Sequence, residues 1–286
     1  MRKYFKLVKF SHTIFALPFA LVGFFLGVME QGQLPWDALG LVILCMIFAR
    51  NAAMSFNRWA DRFIDAKNPR TASRELPSGI LKANKVLGFT IINAVAFIAT
   101  TYFINQLCFI LSPVALFVIL GYSYAKRFTS LAHFILGIGL SLAPVGSYLA
   151  VTGHFATIPI VFGIVVFTWV AGFDIIYALQ DEEVDSDLGL FSIPSVLGKK
   201  NALRLSMGVH IITGLSLLFA SYLCTTQYQQ LGLIFGLGVF IFFILIFYQH
   251  TLVTPTDLSR VDLAFFKTNG LASLMFGLLF IVDVIY

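Results

Sequence analysis

Long runs without a charged side chain dominate the pattern of this chain. Residues 86–125, 128–173 and 205–256 contain no Asp, Glu, Lys or Arg. A membrane-spanning helix needs about 20 apolar residues, so each run is long enough for two such helices. The apolar residues are continuous and do not alternate strictly with polar ones, which favours helices over the strands of a barrel. The pattern therefore predicts an all-α, polytopic membrane protein.

Turn-forming residues divide the chain into nine predicted spans. The first span follows a basic start, as a signal peptide would, but its length and the lack of a small-residue cleavage site predict that it is retained. The spans are predicted to form a single transmembrane domain over residues 1–286. They lie near residues 12–30, 36–56, 85–104, 106–125, 131–151, 157–180, 203–222, 231–250 and 268–286.

Composition agrees with a membrane protein. Hydrophobic residues make up 59% of the chain and charged residues 12%, whereas soluble domains carry roughly twice that share of charge. The net charge of +5 is not arranged as a basic stripe with exposed aromatics, so no nucleic-acid partner is expected. The three cysteines lack disulfide or zinc spacing, and the five scattered histidines are predicted to be packing or interface residues.

The lysines and arginines lie on one side of the predicted membrane. Apart from Arg50, which is inside the second span, all of them precede the first span or follow an even-numbered span. Positively charged loops stay in the cytoplasm. The distribution therefore predicts a multi-pass protein of the cell inner membrane with a cytoplasmic N-terminus and an outer C-terminus.

Two short acidic segments follow the second and the sixth predicted span, both on the cytoplasmic side. Asp61 and Asp65 are four residues apart in the first segment, as are Asp181 and Asp185 in the second. On a helix this spacing puts both carboxylates on one face, where they repel each other unless a cation is bound. Asn57 adds an amide oxygen to the face of the first pair.

Such oxygen ligands suit Mg²⁺, which typically takes one or two carboxylates together with substrate phosphates. The alternative is that these are solvated loop charges. Two pairs at the ends of apolar helices, on one side of the membrane, favour a functional site.

Basic residues accompany the acidic motifs. Lys126 and Arg127 end the fourth span, although the positive-inside rule alone would also explain them. Arg50 lies two turns before the first acidic motif inside the membrane, where a guanidinium is costly and an anionic substrate would explain it. Arg70 and Arg74 are four residues apart in the loop after the second span.

Four segments of the chain resemble the UbiA-type membrane prenyltransferases, and among them the 4-hydroxybenzoate polyprenyltransferases. These segments are residues 57–65, 69–79, 122–127 and 174–185. The resemblance implies nine transmembrane helices around a central cavity, with both aspartate motifs at its cytoplasmic mouth. It also implies Mg²⁺-dependent transfer of a polyprenyl group from polyprenyl diphosphate to an aromatic acceptor, in ubiquinone or other quinone biosynthesis. The prenyl tail would lie in an apolar cavity that is open to membrane lipid.

The resemblance gives roles to individual residues. Lys126 and Arg127 would stabilise the leaving diphosphate, and Asp174 is a candidate base for the proton of the aromatic ring. Mg²⁺ and diphosphate would be held by Asn57, Asp61, Asp65, Asp181 and Asp185. The expected substrate-binding residues are Arg50, Asn57, Arg70, Arg74, Tyr122 and Tyr177.

The acceptor has two readings. Arg58 stands where many 4-hydroxybenzoate enzymes carry Asp, which leaves the metal ligands intact but opens the choice of acceptor. The first expectation is 4-hydroxybenzoate and the second a different aromatic acceptor of menaquinone synthesis. An arginine, with Arg74 favoured, would bind a carboxylate on the ring.

A membrane transporter is the other function class. Charges in transporters usually lie near the bilayer midplane. Here they gather at one face, which favours an enzyme.

Overall fold

The computed structural model describes residues 4, 7, 8 and 15–286, and the described residues form helices and connecting turns without a strand. This confirms the all-α prediction. In chain order the helices are α1 (Ala16–Gln31), α2 (Trp36–Ala60), α3 (Arg62–Asp65), α4 (Ala83–Tyr102), α5 (Gln106–Ala125), α6 (Ala132–Thr152), α7 (Thr157–Ala178), α8 (Glu182–Asp187), α9 (Ile193–Gln227), α10 (Leu233–Tyr248) and α11 (Asn269–Ile285). A π-helical turn, Leu263–Thr268, leads directly into α11.

Eight of the described helices are long and apolar enough to cross a membrane, and α1 is a shorter apolar helix. Together they account for the nine predicted spans. Residues 12–14 of the first predicted span lie outside the described residues. The helices α3 and α8 are too short to span and follow α2 and α7 on the side of the acidic motifs.

The start of α9 differs most from the prediction. Its first residue is Ile193, well before residue 203, because Ser192 caps the helix through a reciprocal hydrogen-bond pair with Ser195. The backbone at Gly198 (φ 73°) interrupts the first turns. Hydropathy detects only the apolar part of this helix and misses the polar turns at its start.

The most deeply buried helix is α7, which packs mainly against α6 and α9 and also contacts α1. Its Trp169 is fully buried and contacts the rings of Phe19, Phe173 and Phe242 at centroid distances of 5.4, 5.1 and 5.4 Å. Buried aromatic pairs of this kind stabilise a core beyond the area they bury. This half of the bundle carries the second acidic motif just after the end of α7.

Close packing also joins α1 to α6. A Cβ on Gly23 would lie 2.0 Å from the carbonyl oxygen of Pro144, and one on Gly27 would lie 2.7 Å from the Cβ of Val151. Small residues allow such backbone contact in membranes. The Gly23-x-x-x-Gly27 motif therefore serves packing within the chain.

The other half of the bundle surrounds an apolar cavity of about 410 Å³. Its walls come from α2, α4, α5 and α6 and are mainly aliphatic, with Arg50 and Tyr122 among the lining residues. The α5 wall extends from Cys108 to Tyr122, a length of about 21 Å at 1.5 Å per residue. The structure thus has the central cavity that the resemblance implies.

Candidate active site

The first acidic motif continues the end of α2. The backbone of Asp61 turns (φ −90°, ψ 4°) and separates α2 from α3. Helical hydrogen bonds persist across the turn, from Asp61 N to Asn57 O (2.9 Å) and from Asp65 N to Asp61 O (2.7 Å). Asn57 Nδ2 also donates to Asp61 Oδ2 at 3.3 Å. The three residues therefore stay on successive turns, as their spacing predicts.

Both carboxylates of the first motif are buried and ion-paired. Asp61 is 3% and Asp65 4% exposed, and a buried charge requires a partner. Lys126 Nζ lies 2.8 Å from Asp61 Oδ2, and Arg127 Nη2 lies 3.5 Å from Asp61 Oδ1. Arg74 Nη1 lies 2.7 Å from Asp65 Oδ1. The loop after α5 and the loop after α3 thus both contribute cations to this motif.

The second acidic motif is bound by the same loop that follows α3. Arg70 contacts both carboxylate oxygens of Asp181, with Nε 3.0 Å from Oδ1. Asn68 Nδ2 donates to Asp181 Oδ1 at 2.8 Å, and Asn68 Oδ1 accepts from the Arg70 backbone N–H at 2.9 Å. Although these partners are more than 100 residues apart in the chain, the two motifs meet at one mouth. Asn68 was not predicted, and its only signal is its place beside Arg70 in the acidic loop.

Tyr177 supports Arg70 from α7. Its hydroxyl accepts a hydrogen bond from Arg70 Nη1 at 3.1 Å, and its ring stacks on Phe265 at 4.1 Å. Burial alone would lower the pKa of Arg70, but the hydrogen bonds and charge of Asp181 outweigh it, so this pKa lies above its ordinary value. The guanidinium is therefore a fixed positive charge at the mouth.

The remaining acids of the second loop are arranged differently. Lys199 Nζ lies 3.3 Å from Glu182 and 3.7 Å from Glu183. Asp185 is half-buried on α8, and its carboxylate forms no ion pair with the residues that the structure describes.

The residues at the mouth fit a magnesium ion by their donor chemistry. Within the described ranges, no group of three or more His, Cys, Asp or Glu side chains is placed to share a metal. However, Asp65 Oδ2 is buried without a hydrogen-bond partner in the described part of the chain. Carboxylate and amide oxygens are the ligands that Mg²⁺ prefers. Because the lysine and arginine partners are long side chains, they would be able to release the carboxylates to a metal and bind phosphate oxygens instead.

The mouth leads into the apolar cavity past Tyr122. This side chain lines the cavity and lies within electrostatic reach of Asp61 and Asp174. Arg50 lines the same cavity. Asp174 Oδ2 lies 2.7 Å from His133 Nδ1, a contact that the sequence did not reveal because a scattered histidine carries no local signal. The mouth therefore carries both basic and acidic side chains, and it opens into the apolar cavity.

Comparison with known proteins decides the family. The profile of the UbiA prenyltransferase family matches residues 16–271. The chain belongs to this family. Relatives include the 4-hydroxybenzoate octaprenyltransferase of Aliivibrio fischeri, which is 25% identical over 246 residues, with 86% of this chain and 84% of the relative covered. The 4-hydroxybenzoate octaprenyltransferase of Vibrio parahaemolyticus is 28% identical over 242 residues, with 85% and 83% covered.

Solved structures of UbiA homologs share the fold. The apo structure of a UbiA homolog from Aeropyrum pernix has a TM-score of 0.80 and 28% identity, and covers 96% of this chain and 97% of that one. A UbiA homolog from Archaeoglobus fulgidus bound to DMAPP and Mg²⁺ has a TM-score of 0.72 and 19% identity, with 99% of both chains covered. The predicted family and fold are thus confirmed. The protein is a multi-pass UbiA-family prenyltransferase, which removes the support for a transporter.

Proposed function

We propose that this UbiA-family protein transfers a polyprenyl group from polyprenyl diphosphate to an aromatic acid, most simply 4-hydroxybenzoate, in quinone biosynthesis with Mg²⁺ as cofactor. One observation carries the proposal: a buried and a partly buried aspartate motif share the mouth of an apolar cavity with four basic side chains. The names of the bacterial relatives and the DMAPP and Mg²⁺ of the Archaeoglobus homolog support the same chemistry.

The mouth is suited to hold a leaving diphosphate. Mg²⁺ bound there would neutralise the negative charge that develops on the diphosphate. Lys126 and Arg127 add fixed positive charge at the same place. The residues that would hold the metal are Asn57, Asp61, Asp65, Asp181 and Asp185. With this support the bond between C1 of the prenyl group and the diphosphate oxygen breaks, and the electron pair leaves with the diphosphate.

The cavity provides for the rest of the reaction. Its apolar walls accept the prenyl tail and limit the access of water, which would otherwise quench the allylic cation. A carbon of the aromatic ring then bonds to C1 of the prenyl group. Asp174, which lies on α7 within electrostatic reach of the cavity-lining Tyr122, accepts the ring proton and restores aromaticity.

The orientation in the membrane follows from the charged loops. The basic loops lie beside the active-site mouth, and positively charged loops stay in the cytoplasm, so we infer that the mouth faces the cytoplasm and that the protein lies in the cell inner membrane. Exposed apolar side chains on the outside of the bundle, such as Phe117 and Phe240, contact the lipid. The prenyl substrate would enter from this lipid phase.

The acceptor carboxylate needs a cation inside the cavity. Arg74, which the sequence favours, and Arg70 lie in the loop after α3 and are not among the described residues that line the cavity. Arg50 lies on α2 and lines the cavity together with Tyr122, and a guanidinium is able to bind a carboxylate through two parallel hydrogen bonds. We therefore place the carboxylate of the acceptor at Arg50.

A panel of acceptors tests this proposal. We expect the wild-type protein to prenylate 4-hydroxybenzoate at least tenfold faster than 4-hydroxybenzaldehyde, since one charged hydrogen-bonded contact is worth roughly 1.5–3 kcal/mol. Arg50→Gln should remove this preference, and Arg50→Lys should restore it in part because the charge remains without the planar fork. Arg74→Ala is the matched control and should keep the preference.

Two results would decide the acceptor otherwise. A wild-type protein that treats both compounds alike has no carboxylate site. If only a larger aromatic acid of menaquinone synthesis is prenylated, the arginine keeps its role and the substrate changes.

A further inference from the structure

A carboxylate–imidazole pair lies beneath the active-site mouth. Asp174 Oδ2 is 2.7 Å from His133 Nδ1, and His133 is only 4% exposed. The pair joins α7 to α6. Asp174 lies about two turns before Asp181 on the way into the membrane, so it is close to the mouth without belonging to the aspartate pairs.

A backbone contact determines where the His133 ring carries its proton. The N–H of Ile193, the first residue of α9, donates to His133 Nε2 at 3.3 Å. The Nε2 atom must therefore offer a lone pair, and the neutral ring has its proton on Nδ1. That proton is donated to Asp174 Oδ2. The other oxygen, Oδ1, accepts no hydrogen bond from the residues that the structure describes.

We propose that His133 is a positioning residue that holds the Asp174 carboxylate through Oδ2 and turns its second oxygen toward the acceptor ring. The proposal rests on the proposed function, in which Asp174 accepts the ring proton. After the ring carbon has bonded to C1 of the prenyl group, its C–H bond breaks, the electron pair returns to the ring, and the proton moves to Asp174 Oδ1. His133 does not take this proton, because Nδ1 already carries one and Nε2 is bound to Ile193.

The groups around this pair come from neighbouring helices. Tyr122 of α5 is within electrostatic reach of Asp174, and Asp185 of α8 is within reach of His133. Asp181 follows the end of α7, seven residues after Asp174 in the chain. In the described part of the chain, His133 is the group that donates a hydrogen bond to Asp174. A hydrogen bond to the ionised form is one of the interactions that favour that form.

Two substitutions separate positioning from packing. His133→Gln keeps an amide N–H for Asp174 and an amide oxygen for Ile193, whereas His133→Leu removes both. We expect the acid limb of the kcat–pH profile of aromatic prenylation to move up by about one pH unit in the Leu variant, because the ionised base has lost its donor. Activity should recover at alkaline pH. The Gln variant should keep the wild-type profile.

Two results of these pH profiles would contradict the proposal. A Leu variant that is slowed equally at every pH, or a Gln variant that is displaced as far as the Leu variant, would overturn the positioning role. If the Leu variant does not fold, the tautomer of the His133 ring in the wild-type protein tests the proposal. Spectra of ¹⁵N-histidine-labelled protein should show a neutral ring protonated at Nδ1 that is absent from His133→Gln. A ring protonated at Nε2 in its place would contradict the proposal.

Failure of the proposed function looks different. If the wild-type protein forms no prenylated product at any pH, the proposed function is wrong, and the tautomer measurement still tests the pair because it needs no turnover. Release of diphosphate from a prenyl diphosphate uses the mouth and not Asp174, so His133→Leu should retain it. Loss of this release together with product would show that His133 supports the mouth as a whole and would overturn the specific role.

Discussion

Replacement of Asp61 by Asn is expected to abolish prenyl transfer while leaving the helical bundle folded. Asp61 is 3% exposed and is the common partner of Lys126 and Arg127. The substitution keeps the shape of the side chain but removes a charged metal ligand. Metal stabilisation of developing charge lowers the activation free energy by several kcal/mol. Because each ~1.36 kcal/mol of activation free energy changes the rate tenfold, kcat should fall by about 10³-fold or more.

Product formation and thermal unfolding should be measured on the same preparation. Glu183→Gln is the matched control, because Glu183 lies in the other acidic loop with its side chain 87% exposed. Its activity should equal that of the wild type. An Asp61→Asn protein that folds normally and keeps its activity within tenfold would contradict the metal assignment.

Replacement of Lys126 by Ala is expected to lower kcat by about 10²-fold or more, as loss of one preorganised charge donor does elsewhere. Its Nζ lies 2.8 Å from Asp61. With the Asp61 carboxylate bound to a metal, this ammonium group would be able to contact the diphosphate. A fixed charge aimed at the leaving group acts mainly in the transition state, so the KM for prenyl diphosphate should change much less than kcat.

The control for Lys126 is Lys200→Ala, which removes an exposed lysine from the same side of the protein and should have no effect. Lys126→Arg should recover part of the rate, because the charge is kept. If KM rises while kcat stays constant, Lys126 binds substrate without stabilising the transition state.

Sequence patterns predicted the features that depend on spacing. The apolar runs of α2 and α7 and the four-residue spacing of Asp61 and Asp65 are local properties, and helical hydrogen bonds carry them into the structure. The distribution of lysines and arginines predicted that both acidic loops lie on one side of the membrane. The contact of Arg70 with Asp181 is the structural counterpart of that prediction.

Other features depend on geometry that spacing does not encode. The pairing of Asn68 with Asp181 is set by the turns of the loop after α3. The contact of His133 with Asp174 depends on how α6 is rotated against α7, and its tautomer depends on the backbone N–H of Ile193. Such contacts involve residues far apart in the chain, so no local pattern marks them.

The central claim is transfer of a prenyl group to an aromatic acid, and product analysis tests it most directly. The full-length protein in lipid bilayers would be incubated with Mg²⁺, a polyprenyl diphosphate and 4-hydroxybenzoate, and the products identified by mass spectrometry. The account predicts a carbon-prenylated 4-hydroxybenzoate and an equal amount of diphosphate, both lost when Mg²⁺ is chelated. Diphosphate release without a prenylated product from any aromatic acid, or a product that persists without divalent metal, would contradict it.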